Sequence, residues 1–119
     1  MNDRFKFRGL TDLGIWIYGY LYNYNGAYYI REEDEIAYKV KTETIGQCTG
    51  LKDRNGTLIY DGDILGNKDI MSDVALLKYK NEICCYILER RSVDERFNKW
   101  WADSLMVIGN IHENKELLN

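Results

Sequence analysis

Polar and apolar residues alternate along most of this chain, and alternation at every second position is typical of strands with one buried face. The segment 4–8 alternates strictly, and the longest run of this kind covers residues 15–24. Asn25-Gly26 follows that run and predicts a type I′ turn, with 27–30 as the returning strand. Shorter segments of the same character predict further strands at 36–40, 44–49, 58–60, 63–65, 74–80, 83–89 and 105–110.

Two segments late in the chain have helical signals instead. Ser92 and Glu95 have the spacing of a capping box, which predicts a helix of about two to three turns after Ser92. The apolar residues of that helix would share one side: Val93, Phe97, Trp100 and Trp101. Residues 113–118 predict a terminal helical turn.

Many short strands, glycine turns and little helix predict a mainly β fold, either a sandwich or a small barrel. Gly50, Gly56 and Gly62 recur at positions where a short strand is expected to reverse. Asp53 and Asp61 can accept hydrogen bonds from backbone N–H groups within their own turns. Turn formers of this kind favour a fold-determining motif over a ligand site: Gly50, Asp53, Asn55, Gly56, Tyr60, Gly62, Asp63, Gly109 and Asn110.

Three segments carry a resemblance to a known family. Residues 49–65 read TGLKDRNGTLIYDGDIL, residues 107–118 read VIGNIHENKELL, and the chain opens with RFKFR at 4–8. In this order they resemble the YopX family, whose members are mostly encoded by phages or prophages. The resemblance implies one domain over 1–119, with an N-terminal β-rich part at 1–48 and an SH3-like barrel part at 49–119. The fold it predicts is a small SH3-like barrel with an N-terminal β-hairpin extension and one or two short helices, and it implies no catalytic residue.

Charge and composition narrow the class of partner. The formal net charge is −3, from 16 basic and 19 acidic residues, which gives no global attraction to nucleic acid or anionic lipid. No run approaches the roughly 18 apolar residues of a membrane helix, and the N-terminus has no secretion signal. The three cysteines do not form a disulfide framework, because their number is odd and two of them are adjacent in a predicted strand: Cys48, Cys84 and Cys85. We therefore expect buried thiols in a reducing cytoplasm and no contact with a membrane. The resemblance implies that this is the cytoplasm of a bacterial host.

Candidate catalytic and metal-binding groups are sparse. Asp53, Asp61, Asp63 and Asp69 are possible oxygen ligands, but they lack the intervals of an EF-hand loop. His112 is the single histidine, so any Ser–His or Cys–His pair depends on it. The sequence thus predicts a protein that is not an enzyme and holds no cofactor or metal.

The strand at 15–24 has an aromatic side that needs cover. We call this side the aromatic face: Trp16, Tyr18, Tyr20, Tyr22 and Tyr24. Three kinds of cover are compatible with the pattern. Tyr28, Tyr29 and Tyr38 across the hairpin would make it part of the core, a partner subunit would make it an interface, and bases would make it a stacking surface.

A second candidate surface is the basic segment 90–101. Its cations and rings have the composition of a nucleic-acid patch: Arg90, Arg91, Arg96, Lys99, Trp100 and Trp101. Asp94 and Glu95 lower the local positive charge, and an amphipathic helix with buried rings accounts for the same pattern. The aromatic face and the lack of a catalytic constellation favour a non-enzymatic protein that acts through protein–protein contacts, as a homo-oligomer, and the resemblance implies that it is a phage or prophage accessory protein. Nucleic-acid binding by the basic segment is the alternative.

Overall fold

The computed structural model describes residues 3–67, 70–91 and 93–118, and it is mainly β, with two antiparallel sheets. Its internal contacts divide the chain into two compact units, residues 1–50 and 51–119. This division lies close to the predicted boundary between 1–48 and 49–119. The two-sheet, mainly β class confirms the broad expectation, whereas the single domain stays a prediction.

The first unit is built on a meander of antiparallel strands. The strands are β1 (Phe7–Leu10), β2 (Trp16–Tyr24), β3 (Ala27–Arg31), β4 (Ala37–Lys39) and β5 (Gly46–Lys52). Within this unit the sheet has the order β4-β3-β2-β1-β5. The Asn25-Gly26 turn has positive φ at both residues (50° and 83°), which confirms the predicted type I′ hairpin.

Two strand starts were predicted too early. Asp3–Phe5 forms a 3₁₀ turn, so β1 begins only at Phe7 and the strand expected over 4–8 is partly wrong. Thr42–Thr44 forms another 3₁₀ turn, and β5 begins at Gly46 rather than at residue 44. The Thr44 hydroxyl explains this turn, because it donates to Lys41 O (2.7 Å) and accepts from the Leu10 N–H (2.9 Å).

The core of the first unit lies on the aliphatic side of β2. Its buried centre consists of three aliphatic residues: Ile17, Ile30 and Val40. Partly buried side chains complete it: Phe7, Leu21, Tyr28 and Ile45. Gly9 belongs to the same packing, because a Cβ there would lie 2.7 Å from the Cβ of Val40. Strand β1 and Val40, the residue after β4, therefore approach more closely than any larger residue at position 9 allows.

Strand β2 changes partner at Gly19. Its first half, Trp16 to Gly19, pairs with β1, and its second half, Tyr20 to Tyr24, pairs with β3. A Cβ at Gly19 would lie 2.1 Å from the carbonyl oxygen of Arg31, at the end of β3. The change of partner thus depends on a close backbone approach that only glycine permits.

The second unit contains the five strands of the second sheet. The elements of this unit are β6 (Leu58–Tyr60), β7 (Asp63–Asn67), β8 (Ile70–Lys80), β9 (Cys85–Glu89), β10 (Asp94–Arg96), α1 (Lys99–Ser104) and β11 (Met106–Asn110). The second sheet has the order β10-β9-β8-β7-β11. Leu51 and Lys52 continue β5 into this unit, where β6 is its neighbour. Its core is the buried cluster Ile59, Leu65, Ala75, Leu77, Leu88, Ala102 and Leu105.

Several predicted features of this unit need correction. The strands of the described residues do not close into a barrel, so the SH3-like barrel is not confirmed. The helix begins at Lys99, because the Asn98 side chain caps it by accepting from the Trp101 N–H (3.2 Å). Glu95 lies in β10, so the predicted capping box is wrong, and its other member, Ser92, lies outside the described residues. The terminal turn is 3₁₀, at Lys115–Leu118.

The cysteine and glycine predictions are correct only in part. Cys48 is buried, but Cys84 is exposed with φ +52° and ends a 3₁₀ turn, so it does not share a strand with Cys85. Gly56 and Gly62 lie in turns with positive φ, as expected. Gly50 has positive φ (84°) inside β5, so it does not mark a strand reversal.

Candidate functional site

The aromatic face is formed by the alternation of β2, as the sequence predicted. Ile17 is buried in the core, while the five aromatic side chains of the face are half-buried or exposed. Antiparallel pairing places Tyr29 opposite Tyr22, so Tyr29 extends the same surface across β3. The hairpin therefore presents a continuous row of rings on the side of the sheet away from the core.

The most exposed ring of the aromatic face lies at the tip of the hairpin, and Tyr18, beside β1, is exposed as well. Tyr24 is 63% exposed, Tyr18 46% and Tyr22 36%. The rings of Tyr22 and Tyr29 stack at a centroid distance of 5.6 Å and an interplanar angle of 18°. The Arg31 guanidinium lies 5.5 Å from the Tyr22 centroid, which is cation–π range. These contacts hold the rings in place without removing them from solvent.

The other end of the face is better covered. Trp16 is half-buried, and the guanidinium of the buried Arg8 lies 4.8 Å from its ring centroid. Of the three tyrosines proposed as cover, Tyr29 alone is on this side. Tyr28 is opposite Asn23 and packs against the aliphatic core, and Tyr38 is opposite the buried Ile30. Packing across the hairpin therefore leaves Tyr22 and Tyr24 exposed.

The basic segment is less positive in three dimensions than in sequence. Arg90 pairs with Glu95 (3.4 Å) and Lys99 with Asp103 (2.7 Å), so carboxylates neutralise two of its four cations. Arg91 and Arg96 are exposed, and neither has an ion pair with the residues that the structure describes. Nearby on β8, the pKa of the Lys78 ammonium is raised because its side chain hydrogen-bonds to Glu89. Acidic partners thus pair with cations both within the basic segment and on the neighbouring strands β8 and β9.

The two tryptophans of the segment have different roles. Trp101 packs against the core of the second unit, and the Arg90 guanidinium lies 5.6 Å from its ring centroid. Trp100 is 66% exposed and contacts Trp101 edge to face, with centroids 4.8 Å apart. The prediction that the apolar residues of this segment share one buried side is therefore wrong at two positions, because Trp100 and Val93 are both exposed.

The acidic residues of the 49–65 motif act within the fold. The buried Asp53 accepts backbone hydrogen bonds from Asn55 (2.8 Å) and Thr57 (2.9 Å) through Oδ1. Its Oδ2 accepts from the Val107 N–H (2.8 Å), which joins the 53–57 turn to β11. Asp63 is also buried and accepts from the Tyr60 N–H (2.7 Å). Such charge-assisted bonds to N–H groups organise turns.

The closing motif is organised in the same way. Asn110 Oδ1 accepts from the N–H groups of His112 and Glu113, both at 3.0 Å. A Cβ at Gly109 would lie 2.6 Å from the Asn114 side chain, which in turn accepts from the Asn110 N–H (3.1 Å). Gly109 and Asn110 therefore hold the turn that follows β11.

The remaining chemical candidates are dispersed. His112 is exposed in the turn after β11, whereas Cys48 is buried in the first unit. Within residues 3–67, 70–91 and 93–118, no group of three or more His, Cys, Asp or Glu side chains is arranged to hold a metal ion. Asp69, one of the proposed ligands, lies outside the described residues. No helix in the described parts of the chain has the length and apolar character to span a bilayer.

A groove in the first unit was not predicted. It has a volume of about 490 Å³ and is lined by Thr11, Asp12, Leu13, Ile15, Trp16, Ile17, Glu32, Tyr38 and Lys39. Leu13 and Ile15 are 86% and 55% exposed, although both are large and aliphatic. One residue in the sequence indicates such a surface: Leu13 is a large apolar residue in a polar turn, where it has no core to pack against. We call this cavity the edge groove, because the outer edge of β4 borders it.

Comparison with known protein families identifies the family of this chain. A family model described as YopX protein matches residues 6–119, nearly the whole chain. No curated protein matches the chain.

Proposed function

Because this chain belongs to the YopX family, we propose that it is a non-enzymatic accessory protein of phage or prophage origin that acts in the bacterial cytoplasm through protein–protein contacts, with a second copy of itself as the first partner. The observation that carries the proposal is the exposed part of the aromatic face, where Tyr22 and Tyr24 are exposed on the paired hairpin and Tyr18 is exposed beside β1. Tyrosine, tryptophan and arginine are the residue types that dominate interface energetics. They bury large rigid areas at low conformational cost.

Self-association suits the chemistry of this face. Its exposed rings are neutral, and the Arg31 guanidinium already lies over a ring of the same face. Two such surfaces related by a two-fold axis place ring against ring and cation against ring, so the same patch is its own complement. The buried acidic residues of the family motif support a non-catalytic role, because Asp53 and Asp63 are engaged with backbone N–H groups.

We expect the purified protein to self-associate in a concentration-dependent manner, and light scattering or sedimentation measures this directly. Tyr22→Ser combined with Tyr24→Ser should weaken association by about tenfold or more, since two hot-spot rings are lost. Tyr79→Ser is the matched control, because Tyr79 is an exposed tyrosine on β8 in the other unit. A monomer at every concentration, or equal loss with Tyr79→Ser, contradicts the proposal.

Nucleic-acid binding by the basic segment is the weaker candidate, because Glu95 and Asp103 already pair two of its cations. We expect little binding to single- or double-stranded oligonucleotides even at low salt, measured by fluorescence anisotropy. Arg91→Glu with Arg96→Glu should then change the signal little. Tight binding that falls steeply with salt, and is abolished by this charge reversal, would establish the alternative instead.

A further inference from the structure

The edge groove exists because the sheet of the first unit curls back on itself without completing the pairing. The Lys41 N–H donates to the Leu10 carbonyl (2.8 Å), so the chain after β4 runs beside the end of β1. Val40 also packs directly on Gly9. At Lys39 and Tyr38, just before this contact, β4 and the end of β1 separate. The turn at 11–15 forms the opposite wall of the opening. The groove is therefore an opening between the edge of β4 and that turn.

The β4 side of this opening has unused strand-pairing groups. The Val40 N–H donates to Tyr28 O (3.0 Å), which makes residues 28 and 40 a hydrogen-bonded antiparallel pair. Ile30 and Tyr38 are then also hydrogen-bonded, and the pairs of Ala37 with Arg31 and Lys39 with Tyr29 are not. The N–H and C=O groups of Ala37 and Lys39 consequently point away from β3. Since β4 is the last strand in the order of its sheet, these groups face the groove side.

The side chains of the groove define the chemistry of an occupant. Leu13, Ile15 and Tyr38 offer apolar surface that water now covers. Asp12 and Glu32 supply two carboxylates to the lining, against the single ammonium of Lys39. The rest of the β3–β4 connection adds further negative charge at Asp34 and Glu35, whereas Glu33 is paired with Lys6 (3.9 Å). An apolar side chain with a basic neighbour therefore complements this site in both polarity and charge.

We propose that the edge groove binds an extended peptide segment of another protein, which adds a strand to β4 and carries alternating basic and large apolar residues. Backbone hydrogen bonds to Ala37 and Lys39 would supply the pairing, as in other cases of strand addition. An apolar side chain would contact Leu13 and Ile15, while a lysine or arginine reaches Asp12 and Glu32. The volume of about 490 Å³ lies within the range of pockets that enclose small ligands.

This site is separate from the surface proposed for self-association, apart from Trp16 at its margin. The two proposals consequently fail independently. Peptide binding should persist when Tyr22→Ser and Tyr24→Ser abolish self-association, and self-association should persist when the groove is altered.

The experiment uses the full chain and a fluorescein-labelled, end-blocked peptide of alternating lysine and isoleucine. The expected result is saturable binding by anisotropy, with NMR shifts of the Ala37 and Lys39 amides. A glutamate–isoleucine peptide tests charge, and a lysine–proline–isoleucine peptide tests strand addition, because proline cannot donate to the ladder. Both should bind about tenfold more weakly or worse.

Variants of the protein locate the binding. Leu13→Ser should lower the affinity for the lysine–isoleucine peptide about tenfold. The fold should be unaffected, since Leu13 is 86% exposed. Glu32→Lys should do the same, and Val93→Ser is the matched control, an exposed aliphatic residue in the other unit. Absence of binding at low salt, equal binding of the glutamate or proline peptide, or unmoved Ala37 and Lys39 amides would overturn the proposal. Loss of self-association in Leu13→Ser would also overturn it, because a second copy then occupies the groove.

Discussion

Replacing Gly19 with alanine is expected to destabilise the first unit by about 3 kcal/mol or more. A methyl group at this position would lie 2.1 Å from the Arg31 carbonyl oxygen and 3.2 Å from the Glu32 Cα. Both neighbours are backbone atoms, so no rotamer change relieves the overlap. Either β3 moves away from β2, which breaks the pairing that starts at Tyr20 and Arg31, or β2 bends.

Thermal and urea denaturation followed by circular dichroism measure this effect, with an expected fall in melting temperature of about 10 °C or more. Gly26→Ala is the matched control in the same hairpin. Its φ is +83° and nothing lies within 4 Å of the added methyl, so it carries the cost of the left-handed conformation alone, about 1 kcal/mol.

Hydrogen exchange locates the damage. Gly19→Ala should accelerate exchange in peptides covering 16–31 before those of the second unit, because the clash is confined to the β2–β3 crossing. If Gly19→Ala costs no more than Gly26→Ala, the close approach of β3 to β2 is not present in solution.

The hairpin from β2 to β3 shows what local sequence determines. Period-two alternation over 15–24 and the Asn25-Gly26 turn each act within a few residues, and both survive in the fold nearly unchanged. The helix near 92–101 shows the opposite case. Ser92 and Glu95 have capping-box spacing, but residues 94–96 pair with β9 instead, and Asn98 provides the cap. The pairs of that hairpin are only five to nine residues apart, so two local signals competed there, and the capping-box spacing does not show which of them prevails.

The candidate surfaces likewise differ in how much of each one local sequence determines. Alternation placed Trp16 to Tyr24 on one side of β2 correctly, since the side of a strand is a local property. Whether Tyr28 and Tyr38 cover that side depends on the register of β3 and β4, which places them on the aliphatic side. The edge groove depends on the curl that brings Lys41 to Leu10 across 31 residues, and no local pattern encodes such a contact.

Asp53→Ala is expected to be the most damaging substitution in the second unit, at about 3–5 kcal/mol. Its carboxylate accepts three backbone hydrogen bonds of 2.8–2.9 Å, and its side chain is buried. Alanine would leave the N–H groups of Asn55, Thr57 and Val107 without their acceptor. The 53–57 turn and the start of β11 would lose the group that joins them.

Asp53→Asn and Asp34→Ala separate the acceptor role from a general effect of losing an aspartate. Asparagine keeps one oxygen for Asn55 and Thr57 but turns an NH₂ group toward the Val107 N–H, so we expect about half of the alanine cost. Asp34 is exposed and accepts a single bond from the Ile36 N–H (3.1 Å), so Asp34→Ala should cost less than about 1 kcal/mol.

Urea denaturation ranks the three variants by stability, and amide exchange at Val107 should accelerate in both Asp53 variants. An Asp53→Ala protein as stable as Asp34→Ala would mean that the turn and β11 are held together by other contacts, and that the 49–65 motif does not depend on this carboxylate.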